Sequence, residues 1–79
     1  MRTNAGYEII NSFRFDEKHE IVLGKAYSKY FGTRYVTWEC LNGDNYFWGH
    51  YTDNYLNACE DFAERIIKEV QEIRELQTW

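Results

Sequence analysis

Apolar and polar residues alternate along the first two thirds of the chain, and the period then changes. In "YEIINSFRF", residues 7–15, Tyr7, Ile9, Phe13 and Phe15 share one face with Asn11. That two-residue period is the mark of a strand. "HEIVLGKA", 19–26, reads as a second strand. A three-residue loop, Asp16 to Lys18, sets Phe13 opposite Ile21 and Asn11 opposite Leu23. A two-residue loop would set Glu20 against Phe15, so the buried face selects the longer loop. "YSKYFGT", 27–33, has no clean period and reads as a connection. "RYVTWECL", 34–41, and "NYFWGHY", 45–51, are strands around "NGD", where Asn42 and Gly43 both tolerate the positive φ of a tight hairpin.

From Thr52 or Asp53, both good helix caps, apolar residues recur in three- and four-residue steps: Leu56, Cys59, Phe62, Ala63, Ile66, Ile67, Val70 and Ile73. Asp61–Arg65, Glu64–Lys68 and Lys68–Glu72 sit at i,i+4 on the other face. One helix is predicted over about 53–76. The fold class is α+β, a single domain: a four-stranded antiparallel meander sheet with one long C-terminal helix packed on one face. At 1.5 Å per residue the helix spans roughly 36 Å, against about 27 Å for an eight-residue strand. Val70, Ile73, Leu76 and Trp79 therefore overhang. Their cover is expected from a second copy, making a homodimer through the C-terminal helix, or from the first strand.

The segment 35–51 carries six aromatics in seventeen residues. A two- or four-residue turn at Gly43 gives one parity. Val36, Trp38, Cys40, Phe47, Gly49 and Tyr51 share an uncharged face, expected under the helix. Gly49 leaves room there for Phe62 or the Trp38 ring. Tyr35, Thr37, Glu39, Tyr46, Trp48 and His50 share the other. On this reading Tyr35, Thr37, Tyr46, Trp48 and His50 form an open face. Its aromatics either strengthen the sheet as cross-strand pairs or bind a protein partner, since Tyr and Trp combine apolar area with a polar handle.

Composition changes this picture in three places. Fifteen of the 79 residues are aromatic (three Trp, seven Tyr, five Phe), an efficient way to fill a small core. The N-terminal ten residues lack a signal-peptide pattern and no stretch is long enough for a membrane span, so a soluble cytoplasmic protein is expected. Cys40 and Cys59 are then free thiols, expected as core neighbours. The net charge is −4, yet no acid falls between Glu20 and Glu39, where Lys25, Lys29 and Arg34 lie. With Tyr27 and Tyr30 interleaved, Lys25, Tyr27, Lys29, Tyr30 and Arg34 form a nucleic-acid-binding alternative, phosphate contacts with base stacking.

Catalytic chemistry is not expected. Cys40 and Cys59 face the core while His50 faces away, so they do not converge as metal ligands, and His19 sits at a turn. No nucleophile–base pair or Gly-rich phosphate loop is present. The expectation is no enzyme, no metal and no cofactor.

The segment "YVTWECLNGDNYFWGHYTDNYLNACEDF", 35–62, resembles a pattern in small proteins of bacterial phage and mobile elements, where a "YVTW" strand, an Asn- or Gly-containing turn and a "YWGHY"-like strand precede a terminal helix. The resemblance implies a mobile-element setting, in which short acidic proteins bind host proteins, including as inhibitors of CRISPR nucleases. The sheet-then-helix order also resembles plant APETALA-type DNA-binding domains. There Arg and Trp on the free sheet face read the major groove, parts that fall here to Arg34 and Trp48. Glu39 and the lack of further Arg depart from that pattern. Two functions are thus expected: a small regulatory protein that binds a protein partner through the outer hairpin face, or a nucleic-acid-binding domain using that face with the 25–34 loop.

Overall fold

The computed structural model describes residues 1–77. Five strands, β1 (Thr3–Asn4), β2 (Tyr7–Arg14), β3 (His19–Ser28), β4 (Gly32–Leu41) and β5 (Asn45–Thr52), form one antiparallel sheet in sequence order, and α1 (Tyr55–Gln77) follows. The expected α+β meander with a C-terminal helix is present, with one strand more than predicted. The added strand, β1, turns into β2 through Ala5 and Gly6, whose φ values of 50° and 84° suit a tight hairpin turn. The expected connection 27–33 is largely strand, because β3 and β4 continue to the Ser28–Gly32 pair.

Turn chemistry sets the registers. Asp16 accepts hydrogen bonds from the backbone N–H of Lys18 (2.7 Å) and His19 (2.9 Å), closing the expected three-residue loop, and Phe13 lies opposite Ile21 and Asn11 opposite Leu23. A bulge at Ile10 then shifts β2 by one residue. Tyr7 and Ile9 consequently lie on the opposite face from Asn11 and Phe13, rather than all on one face. The helix cap is Asn54, whose side chain accepts from the Asn57 N–H at 2.9 Å, rather than Thr52 or Asp53.

The second correction concerns the β4–β5 hairpin. Leu41 pairs with Asn45, so the loop is three residues and its parity is odd. Tyr46 therefore joins Cys40 on the Trp38 face and Phe47 joins Glu39 on the other, the reverse of the expected arrangement. A bulge opposite Trp38 restores the expected parity beyond it, with Thr37 opposite His50 and Val36 opposite Tyr51. The bulged Trp48 has φ 53°, a costly conformation for a bulky side chain.

The third correction is the largest. The helix packs on the Thr37–Glu39–His50 face and not on the Trp38 face. The Trp38 face closes on itself. Trp38 meets the rings of Tyr7, Tyr46 and Tyr51 at 5.6, 5.5 and 6.2 Å above Val22, Val36 and Cys40. Tyr7 and Tyr51, from strands with two others between them, approach to 6.0 Å. Flat strands would hold those backbones roughly 14 Å apart, so the sheet curls around its apolar face. Arg2 seals the curl. Its guanidinium donates twice to the buried Glu20 carboxylate, at 2.8 and 2.9 Å, and once to the Tyr46 hydroxyl at 2.8 Å. With the apolar face filled by its own strands, only the other face is left for the helix.

On the overhang, Val70 and Ile73 are half-buried and Leu76 is exposed; Trp79 lies outside the described residues. No helix among the described residues is long and apolar enough to cross a membrane.

Candidate functional site

Two surfaces carry chemistry: the seam between α1 and the sheet, and the free end of the β3–β4 hairpin. The seam is polar. Ala58 is the only buried residue of the helix among those described, and the residues around it that face the sheet include Asp61, Arg65 and Glu69. The first two were expected on the solvent face.

Thr37, 1% exposed, donates its hydroxyl proton to Asp61 Oδ2. Asp61 also meets His50 Nδ1 at 3.0 Å. Arg65 donates to the Trp48 carbonyl oxygen and to His50 Nε2, the latter at 3.1 Å. A guanidinium has no acceptor to offer. His50 Nε2 must therefore accept, and the ring carries its proton on Nδ1, facing Asp61. This is an Asp–His arrangement whose outer nitrogen is occupied by Arg65 rather than by a nucleophile. Buried Arg65 Nη1 has no hydrogen-bond partner among the described residues.

One helical turn further on, His19 lies between two carboxylates. Its Nε2 is 3.1 Å from Glu39 Oε1 and its Nδ1 is 3.7 Å from Glu69 Oε1. Phe15 packs on the same imidazole at 5.0 Å between ring centroids. Burial pushes the Glu69 carboxyl above the usual carboxylate range; His19 opposes the shift, and Glu39 and Glu72 add to it. Beside this cluster the seam opens into a cleft of about 690 Å³, with Trp48, His50, Glu39 and Glu72 on its walls. Five carboxylates line it against Arg65 and Lys68, so its field favours cations.

The five residues expected to form an open partner-binding face do not share one. Thr37 is buried beneath the helix, Tyr35 packs against Tyr55 at 5.3 Å, Tyr46 is on the opposite face, and His50 is engaged by Asp61 and Arg65. Trp48, at 70% exposure, and the His50 side chain, at 58%, stay accessible and share the wall of the cleft. The cysteines also separate. Cys40 faces the Arg2–Glu20 pair within the curl, 3.3 Å from Arg2 Nη2, and Cys59 lies on the helix beyond the other face. Burial, and then Glu20, push the Cys40 thiol up, against the opposing pull of Arg2.

The alternative set stays together in the open. β2 pairs with β3 as far as Lys25, and β5 pairs with β4 as far as Tyr35. The pairs Ala26–Arg34, Tyr27–Thr33 and Ser28–Gly32 lie past both neighbours, so the ribbon projects by about 10 Å. Lys25, Lys29 and Arg34 are exposed. Tyr27, Tyr30 and Phe31 are exposed at 75, 79 and 74%, and Lys29 Nζ sits 5.2 Å from the Tyr30 ring centroid. Phe31 belongs to the same surface. The sequence signal was the acid-free window. The His19–Glu39–Glu69 cluster had none, because its members come from three elements far apart in the chain.

No protein-family description, no curated protein and no solved structure matches this chain.

Proposed function

We propose that the chain is a small non-catalytic binding protein whose contact surface is the tip of the β3–β4 hairpin. The observation that carries this reading is the exposure of Tyr27, Tyr30 and Phe31 together on a projecting ribbon. A fold short of core would bury three such rings if nothing else used them. Tyr and Arg are the side chains that dominate interface energetics. The flanking Lys25, Lys29 and Arg34 call for a partner with an acidic recess, and the acidic remainder of the chain would orient the approach tip-first. The partner is taken to be a protein, a host protein if the mobile-element resemblance of the 35–62 segment holds. The occupied outer nitrogen of His50 supports a role without catalysis.

Single-stranded nucleic acid is the second reading, favoured by the interleaving of lysines with rings that can stack on bases. A photo-crosslinking residue at Phe31, with a control at Gln71 on the helix, tests both in the native host. A protein adduct specific to position 31 supports the first reading. Fluorescence anisotropy on a single-stranded oligonucleotide separates the second, which requires affinity falling steeply with salt. If neither position 31 nor the oligonucleotide gives a specific signal, the hairpin is not the contact surface.

A further inference from the structure

Beyond any partner at the hairpin, we propose that His19, Glu39 and Glu69 bind one divalent transition-metal ion at the seam between helix and sheet. The three donors come from three elements, the start of β3, the end of β4 and the fifth turn of α1. One ligand atom from each lies within 4.8 Å of the others. Metal–ligand bonds of about 2.0–2.2 Å place two donors on one ion at most ~4.4 Å apart. The set is therefore within a few tenths of an ångström of closing on an ion, and the His19–Glu39 pair, at 3.1 Å, already does.

The surroundings favour an ion over a plain ion pair. All three side chains are well shielded, at 20, 14 and 24% exposure, so they are held in place rather than waving in solvent. Two carboxylates share a single imidazole, which carries at most one positive charge. A dication balances both. The adjoining cleft admits water to complete the coordination. A mixed imidazole–carboxylate set suits zinc, ranks manganese below it, and gives magnesium no advantage. The ion would replace the proton shared between His19 and Glu39, and would clip α1 to β3 and β4.

The test is calorimetric titration of the chelator-stripped protein with zinc, manganese and magnesium chlorides. The expected result is one equivalent of zinc, weaker manganese and no saturable magnesium heat. His19→Gln and Glu69→Gln should each weaken zinc at least about tenfold, with circular dichroism confirming that each remains folded. Cys59→Ala and His50→Gln should bind as the parent does. Amide exchange supplies a second readout, since zinc should slow exchange around residues 66–73 in the parent and not in Glu69→Gln. The proposal is overturned by absence of saturable zinc binding, by magnesium binding as tightly as zinc, by zinc affinity that survives in His19→Gln, or by affinity lost in Cys59→Ala.

Discussion

Arg2→Ala is expected to be among the most destabilising single changes in the chain, although it lies at the second residue. Arg2 makes two charge-assisted hydrogen bonds to Glu20 and a third to Tyr46. Glu20 is 3% exposed, so truncation leaves a buried carboxylate with its main partner gone. Removing one member of a buried pair costs about 3–5 kcal/mol. The Arg2 side chain is itself 33% exposed, and water entering the gap it leaves would solvate Glu20 in part. The lower end, about 3 kcal/mol, is the expected loss. A domain of this size holds roughly 4–12 kcal/mol in total, and such a loss lowers its melting temperature by roughly 12–24 °C. Urea unfolding followed by tryptophan fluorescence measures it directly, because Trp38 lies within the curl that Arg2 seals. The double change Arg2→Met with Glu20→Leu removes both charges together and should cost less than Arg2→Ala. A loss below about 1 kcal/mol for Arg2→Ala, or a double variant worse than the single, would refute the account of Arg2 as the clasp of the curled face.

The other predictions follow from the corrected faces. Trp38→Ala should cost about 3–5 kcal/mol as a core truncation, whereas Trp48→Gly should be neutral or stabilising, because it relieves the positive φ at the bulge; thermal melts rank the two. Gly49→Ala should destabilise by about 1–3 kcal/mol, since a Cβ there would stand 2.7 Å from Trp38 Nε1 and 2.9 Å from Tyr51 Cε1; chemical denaturation that leaves stability unchanged would contradict that packing. Iodoacetamide should label Cys59 well before Cys40 in the native protein, because Cys40 is fully buried with its thiol pushed up by that burial; mass spectrometry showing the reverse order would contradict the placement of the helix.

Much of the architecture is local and was legible along the chain. The Asp16 loop, the Asn42–Gly43 turn, the alternating strands and the long helical period each depend on residues near one another, so each could be read from a short window. The acid-free basic window also survived as a surface, because a projecting hairpin keeps its own residues together whatever the remainder does. Three things depended on tertiary structure. The odd-numbered turn at Asn42–Asp44 and the bulges at Ile10 and Trp48 change which face a side chain takes, and a bulge leaves the alternation on either side intact. The choice of face for the helix was not local either. An uncharged face looked like the natural seat for an amphipathic helix, but the sheet could curl and bury that face with Tyr7, Tyr51 and the Arg2–Glu20 clasp. The helix then had to meet a face carrying Thr37, Glu39 and His50, and it did so with Asp61, Arg65 and Glu69. Hydrophobic burial has no direction and can be satisfied by either solution; the curl of the sheet decides between them. His19, Glu39 and Glu69, distant in sequence, meet only as a consequence of that decision.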